Sequence, residues 1–292
     1  MKSLSNSILL LIAVTFAACG KNVTLEQLPS QYTTWEGNKI HYKAHGERSR
    51  ALVFVHGFGC DMNAWQEQFP YFAEKNIPMV FVDLPGFGKS DKPHADYTFD
   101  FFAGAVKTVI DAVGVSQPIL VGHSLGSPIC RQVARNYPGL DAMLCKVDEA
   151  ACRFPEDSLE KAEYKAMFDG MNSGFDQDDI TGVMNTFVDA LFAPSTPEWV
   201  KEYVRSSMVP TPAYIASSTM RNMVDEKWWN ETPMTLPTMV VVAKDFILWP
   251  DNEEYQRNMY PNLTYHTISN TGHFIMMEHP EEFNGMLWDF VK

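Results

Sequence analysis

A ten-residue stretch near the middle of the chain joins an apolar run to a sharp break. Residues 118–127 read Pro-Ile-Leu-Val-Gly-His-Ser-Leu-Gly-Ser. The apolar run predicts a buried strand, and the segment 125–137 predicts a helix. Gly122 and Gly126 flank Ser124, and glycine at these positions allows a turn tight enough to expose the serine hydroxyl above a sheet. The stretch therefore predicts a strand, a tight turn that presents Ser124, and a helix.

Apolar runs on both sides of this stretch predict further strands that alternate with helices. The segment from Thr98 to Val113 has one apolar face, with Thr98 as its cap and Gly114 at its end. The predicted strands are residues 31–35 and 39–44, which form a hairpin, and then 51–55, 79–82, 118–122, 141–147, 238–243 and 263–268.

A long segment separates two of these strands. About ninety residues lie between the strand at 141–147 and the strand at 238–243, which is far more than an ordinary connection needs. We therefore expect a helical insertion over residues 149–235. Its expected helices are 158–171, 179–192 and 197–208, with prolines between them.

The first residues have the pattern of an export signal. Lys2 precedes an apolar run over residues 8–16, which is too short to span a bilayer as a helix. The run ends in Phe-Ala-Ala-Cys, closing on Cys19, and this resembles the lipobox of bacterial lipoproteins. That resemblance implies removal of residues 1–18, lipidation of Cys19 and a membrane-anchored protein that faces the periplasm or the exterior. An ordinary secretory signal is the alternative, and both predict a mature chain outside the cytoplasm.

Composition restricts the ligands. The chain has 23 Lys and Arg residues against 36 Asp and Glu, a net charge of −13, which argues against a nucleic-acid partner. Gly88-Lys89-Ser90 imitates the end of a phosphate-binding loop, but Asp83 stands where that motif requires glycine. No spacing is that of a metal site. We expect neither cofactor nor metal, and we expect Cys130 and Cys145 to be buried free thiols.

Four motifs, in order along the chain, resemble those of the α/β-hydrolase superfamily. The resemblance implies the α/β-hydrolase fold, a mostly parallel central sheet flanked by helices, with a helical cap. The motifs are His56-Gly57-Phe58-Gly59, the octet 83–90, Gly-x-Ser-x-Gly around Ser124, and Gly272-His273. The implied domains are a signal peptide (1–18), a tether (19–30), the first part of the hydrolase core (31–148), the cap (149–235) and the second part of the core (236–292).

The resemblance also implies roles for single residues. Ser124 is the expected nucleophile and His273 the expected base, because a serine hydroxyl needs a base that a third group orients. The backbone N–H groups of Phe58 and Leu125 are the expected oxyanion hole. The other histidines lack the context of a catalytic base and are expected on the surface or in the core; they include His41, His45, His94, His266 and His279.

The acid that orients His273 has three candidates. Asp245 lies just past the strand at 238–243 and completes the family order of serine, acid and histidine, so we predict it as the acid. The spacing from Asp245 to the following proline is one residue longer than the commonest family pattern. Asp148, after the preceding strand, and Asp251 therefore stay open as alternatives.

These roles predict hydrolysis of a small carboxylic ester or related acyl substrate through an acyl-enzyme. The similar haloalkane dehalogenases and epoxide hydrolases attack through an aspartate at the position of Ser124, so the sequence disfavours both. Carbon–carbon bond hydrolases and proline iminopeptidases share the expected residues and remain alternatives. A protein that keeps the fold only to hold a ligand is the alternative of another class.

Overall fold

A central sheet organises the chain. The structure is a computed structural model, and it describes residues 23–46, 49–149, 157–229, 232–246 and 251–292. Within these residues eight strands form one sheet, in the order β1-β2-β4-β3-β5-β6-β7-β8. The strands are β1 (Gln31–Trp35), β2 (Asn38–His45), β3 (Arg50–Val55), β4 (Met79–Val82), β5 (Gln117–His123), β6 (Met143–Val147), β7 (Thr238–Ala243) and β8 (Leu263–Ile268).

The sheet is antiparallel at one end and parallel elsewhere. β1 pairs with β2, and β2 with β4, in antiparallel register, whereas every pairing from β4 to β8 is parallel. Successive residues such as Val53 and Phe54 are both fully buried, because a parallel sheet is covered on both faces. The predicted α/β fold and its N-terminal hairpin are confirmed.

Helices cover the two faces of the sheet. Thr98 caps α2 as predicted, since its side chain accepts a hydrogen bond from the N–H of Phe101, and Gly114 ends the helix with φ +78°. α2 packs against α3, and α1 against α10. The helices are α1 (Gln68–Glu74), α2 (Phe99–Val113), α3 (Gly126–Asn136), α4 (Ser158–Phe175), α5 (Thr181–Asp189), α6 (Glu198–Met208), α7 (Ala213–Met223), α8 (Asn252–Met259), α9 (Ile275–Glu278) and α10 (Pro280–Val291).

The helices α4 to α7 lie between β6 and β7 in the chain, where the insertion was predicted. Buried side chains such as Met184, Val200 and Met220 give these helices an apolar interior. Met208 at the end of α6 lies against the turn after β3, because a Cβ on Gly59 would come 2.8 Å from its side chain. The insertion therefore packs on the carboxyl ends of the parallel strands.

The described chain begins with a segment that is attached to the core. Leu25 is 2% exposed, and the buried ammonium group of Lys43 on β2 donates hydrogen bonds to the carbonyl oxygens of Leu25, at 3.0 Å, and Glu26, at 2.7 Å. Burial lowers the pKa of Lys43. The predicted signal peptide and Cys19 lie outside the described residues. No helix in the described part of the chain is both long and apolar enough to cross a membrane.

Three cysteines of the core are free and buried: Cys60, Cys130 and Cys145. Burial raises the pKa of each thiol, which suppresses thiolate reactivity. The expectation of buried free thiols at Cys130 and Cys145 is confirmed.

Candidate active site

Ser124 stands at a strained turn between β5 and α3. Its φ is +51°, in the left-handed region that residues other than glycine seldom adopt. Both flanking glycines are sterically required, because a Cβ at Gly122 would collide with the backbone of Gly126, and one at Gly126 with the carbonyl oxygen of Val55. The backbone N–H of Ser124 donates to the carbonyl of Val147 at 2.9 Å. The predicted turn is therefore present, and it leaves the Ser124 side chain partly exposed.

His273 follows β8 and pairs with a carboxylate. Its Nδ1 lies 2.6 Å from Oδ2 of Asp148, which directly follows β6. The other oxygen of Asp148 accepts the N–H of Ala243, at the end of β7, at 2.8 Å. An anionic Asp148 that accepts from Nδ1 leaves Nε2 of His273 as the free acceptor. The ring is thus set in the tautomer that a general base requires.

The predicted pairing of His273 with Asp245 is wrong. Asp245 lies in a 3₁₀ turn, residues 244–246, directly after β7. This turn directs its carboxylate to the backbone N–H of Asn270, at 3.1 Å in an exposed position. Asp251 is exposed at the start of α8. Of the three carboxylates that the sequence left open, Asp148 is the one that reaches the imidazole.

The turn after β3 offers backbone donors beside Ser124. A Cβ on Gly57 would come 3.1 Å from Cβ of Ser124, so the two segments are in contact. Among the described residues, neither the N–H of Phe58 nor that of Leu125 donates to a protein acceptor. Two unused donors on either side of a serine are what an oxyanion hole requires.

The ring of His56 stabilises this turn. Its Nε2 accepts the N–H of Leu84 at 3.0 Å, so its Nδ1 carries the proton and donates to the carbonyl of Gly57 at 2.8 Å. Complete burial lowers the pKa of His56, which keeps the ring neutral. His56 thus joins the turn after β3 to the loop after β4.

His123, next to the serine, holds the backbone of His273. Its Nε2 donates to the backbone carbonyl of His273 at 2.8 Å, and the two rings lie 4.7 Å apart between centroids. Burial lowers the pKa of His123 well below its usual value, and the neighbouring His273 lowers it further. A neutral His123 therefore holds the backbone of His273 without placing a second positive charge beside it. The sequence analysis did not identify this role, although His123 lies inside the motif.

The loop that carries His273 is also held by the insertion and by α9. The N–H of His273 donates to the carbonyl of Leu191 at 2.9 Å. Glu278 accepts the N–H groups of Gly272, at 2.8 Å, and Phe274, at 3.1 Å, and the hydroxyl of Thr196 at 2.8 Å. Glu278 was missed as well; its position five residues after His273 is the only signal the sequence offers.

The insertion also contacts the turn that carries the unused donors. The hydroxyl of Tyr203 on α6 donates to Oδ1 of Asp61 at 2.9 Å, and the ring of Phe187 on α5 lies 6.1 Å from that of Phe58. A cavity of about 470 Å³ lies between α6, this turn and the loop after β4, with Asn63, Lys92 and Tyr203 in its wall. No cluster that could hold a metal ion occurs among the described residues.

Comparison with known proteins places this geometry in context. Residues 50–280 match the model of the family described as alpha/beta hydrolase fold. A 2-hydroxy-6-oxononadienedioate/2-hydroxy-6-oxononatrienedioate hydrolase of Paraburkholderia phymatum is 23% identical over 87% of this chain and 91% of its own length. Epoxide hydrolase 4 of Mus musculus is 24% identical over 88% of this chain and 77% of its own. Among solved structures, an esterase from Exiguobacterium antarcticum superposes with a TM-score of 0.75 at 21% identity, covering 88% of this chain and 96% of the esterase.

Proposed function

Because the chain belongs to the alpha/beta hydrolase fold family, we propose that it is a serine hydrolase that cleaves a small carboxylic ester, or a related acyl substrate, through an acyl-enzyme on Ser124. One observation carries the proposal. Ser124 stands at φ +51° between two backbone N–H groups that have no acceptor among the described residues. Asp148 orients the ring of His273 at 2.6 Å, and His123, the residue before Ser124, binds the backbone of His273. We name these residues, Ser124, His273 and Asp148, the Ser124 set.

The reaction follows from these roles. His273 takes the proton of the Ser124 hydroxyl through Nε2 as the oxygen attacks the substrate carbonyl carbon. The N–H groups of Phe58 and Leu125 stabilise the oxyanion of the tetrahedral intermediate. His273 then protonates the leaving alcohol, and a water molecule, activated by the same ring, releases the acid from Ser124. Asp148 stabilises the imidazolium that forms in each step.

The inserted helices are proposed to act as a cap that selects the substrate. They contact both the donor turn, through Phe187 and Tyr203, and the loop of His273, through Leu191. An insertion that contacts both of these segments affects the space left for the acyl group. Substrate choice is thus carried by a stretch of chain separate from the Ser124 set.

The names of similar proteins indicate two other reactions. An epoxide hydrolase of this fold uses an aspartate as its nucleophile, and this chain has a serine at that position. Carbon–carbon bond cleavage, suggested by the Paraburkholderia relative, uses the same type of serine and histidine and is the second candidate. An aminopeptidase of the same fold, which would use the same type of serine and histidine, is a further alternative. A non-catalytic ligand-binding protein is disfavoured, because such a protein has no need of a strained serine beside an oriented histidine.

A panel of substrates tests the proposal. Acyl esters of graded chain length, lactones, aminoacyl amides and a vinylogous diketone are each offered to the wild-type chain and to Ser124→Ala. We expect turnover of one ester class by the wild type and its loss in Ser124→Ala. Turnover of the diketone alone would favour carbon–carbon cleavage. No turnover of any substrate, together with saturable binding, would favour a ligand-binding protein.

We further propose that the mature protein is anchored to a membrane through lipid on Cys19. The support is the lipobox-like sequence that ends at this residue, and more than one acyl chain on a single cysteine suffices for stable anchoring. Cys19→Ala should block lipid attachment, and a chain that begins near Lys21 should be soluble and active. A mature form found wholly in the soluble fraction, with another N-terminus, would contradict the anchor and favour a plain secretory signal.

A further inference from the structure

A second serine, histidine and aspartate are joined by hydrogen bonds at the antiparallel end of the sheet. Oγ of Ser30 lies 2.9 Å from Nε2 of His41, and Nδ1 of His41 lies 2.7 Å from Oδ2 of Asp83. We name these three residues the Ser30 set. Strand pairing brings them together: Ser30 precedes β1, His41 is on β2, and Asp83 follows β4, the strand that pairs with β2.

The surroundings of Asp83 fix the direction of these hydrogen bonds. Its oxygens also accept the backbone N–H groups of Met62 and Lys89, each at 2.8 Å. Burial alone would raise the pKa of Asp83, but the hydrogen bond from His41, the neighbouring His56 and the backbone hydrogen bonds from Lys89 and Met62 together outweigh it and leave the pKa below its usual value. An ionised carboxylate can only accept, so Nδ1 of His41 donates to it, and Nε2 is the ring atom left to accept the hydroxyl proton of Ser30.

This arrangement has the atom connectivity of an activated nucleophile: a hydroxyl that donates to a base, and a base that an anion orients. His41 and Asp83 are only 1% and 2% exposed, whereas Ser30 is exposed. A reagent can therefore reach the hydroxyl while the base stays shielded from water. The ring of Tyr32, half-exposed on the neighbouring strand, lies 5.0 Å from the ring of His41 and offers an aromatic surface beside Ser30.

We propose that Ser30 is a second nucleophilic serine, which accepts an acyl group from activated aryl esters and retains it. Oγ attacks the ester carbonyl carbon, and its proton passes to Nε2 of His41. The bond between the acyl carbon and the aryl oxygen breaks, and the proton leaves with the phenol. The product is an acyl ester of Ser30, and no oxidant or further reactant is consumed.

Retention of the acyl group follows from the backbone after each serine. Ser124 is followed by Leu125, whose N–H has no acceptor among the described residues, and then by α3, whereas Ser30 is followed by the strand β1. Stabilisation of the oxyanion is the largest single contribution to acyl transfer. Without it, a good leaving group is needed for acylation, and water does not release the acyl group at a useful rate. Ser30 is thus a site of stoichiometric modification.

The test uses the full chain with Ser124→Ala, so that acylation of Ser124 does not mask Ser30. The chain is treated with 4-nitrophenyl acetate, and released 4-nitrophenolate and intact mass are followed, with peptide mapping of the acetyl group. We expect a burst of about one equivalent per chain without steady turnover. The acetyl group should lie on the peptide that contains Ser30.

Three further substitutions in the same background give the controls. Ser30→Ala should remove the burst, and His41→Gln should slow it by about 100-fold, because the hydroxyl loses its base. Ser116→Ala, at another exposed serine, should leave it unchanged. A burst that survives Ser30→Ala, or acetyl groups on lysines or Ser116 alone, would overturn the proposal. Steady turnover in the Ser124→Ala chain would instead contradict the function proposed for Ser124, so the two failures are distinguishable.

Discussion

The Ser124 set and the Ser30 set have the same three side chains but differ in the backbone around the serine. Ser124 is held at φ +51° between a glycine-rich turn and the first residues of α3, and no described residue accepts the N–H groups of Phe58 and Leu125. Ser30 lies on the surface before an edge strand, and its hydroxyl is hydrogen-bonded to the ring of His41. The comparison teaches that a base and an acid can activate a hydroxyl, whereas turnover also requires backbone donors placed for the oxyanion.

The largest expected effect separates the two sets by turnover. Ser124→Ala or His273→Ala should each lower kcat by ~10⁴ to 10⁶, because the members of such a set act as a unit. The Ser30 set should not replace the lost turnover, since its acyl group stays bound. Steady-state hydrolysis of the preferred ester measures this. Activity within about tenfold of the wild type would contradict the assignment of Ser124.

The acid gives the next largest effect. Asp148→Asn should lower kcat by about 10³ to 10⁴, because the amide no longer holds His273 in its working tautomer. Asp245→Asn is the matched control, since its carboxylate bonds to the backbone of Asn270 instead. The kcat values of both variants on one ester decide between them. A larger loss for Asp245→Asn would restore the prediction made from the sequence.

The donor turn tests the backbone difference directly. In Gly57→Ala the added Cβ would come 2.9 Å from Nδ1 of His123 and 3.1 Å from Cβ of Ser124. We expect the turn to shift and kcat to fall by about 100-fold, the effect of losing one oxyanion donor. Gly139→Ala, which has nothing within 4 Å of its Cβ, should have no effect. When either substitution is combined with Ser124→Ala, burst acylation of Ser30 should survive; its loss in the chain that carries Gly57→Ala would show that the two sets share donors.

The smallest expected effect concerns the insertion. Phe187→Ala removes the ring that faces Phe58 and should shift the preferred acyl chain length, each methylene being worth about 1–3 kcal/mol of discrimination. Met167→Ala, at an exposed position on α4, is the control. Ratios of kcat/KM across esters of graded length measure the shift. Equal changes for every ester would indicate that the insertion only closes over the site.

The fold and most of the Ser124 site could be predicted because they follow from local patterns. The apolar runs matched the strands, and the two glycines around Ser124 are demanded by collisions within one turn. The carboxylate that pairs with His273 could not be identified from local patterns. Asp148 and Asp245 both follow strands at the same edge of the sheet, and only the 3₁₀ turn at 244–246 directs Asp245 away from His273.

The Ser30 set could not be predicted from the sequence, for a related reason. Ser30 and His41 are 11 residues apart, and Asp83 is 42 residues beyond His41, with no motif that connects them. His41 was expected to be a surface or core residue, and its burial agrees with that expectation. The two hydrogen-bond partners of its ring, Ser30 and Asp83, are brought to it by the pairing of β2 with its neighbouring strands.

Asp83 also links the two sets physically. One of its oxygens accepts the N–H of Met62, just past the donor turn, and the next residue, Leu84, donates to His56 at the start of that turn. A substitution at Asp83 therefore disturbs both serines. This is why the controls above change Ser30 or His41 and leave Asp83 intact.

Under the proposed lipidation of Cys19, the hydrogen bond from Lys43 to Leu25 limits how far the domain can lie from the lipid. Leu25 stands six positions after Cys19, and a fully extended chain of that length spans about 20 Å. With the proposed anchor, the core would stay within about that distance of the bilayer surface. The protein would then diffuse along the membrane surface, and it would encounter molecules that partition into the headgroup layer far more often than molecules that are dilute in the aqueous phase.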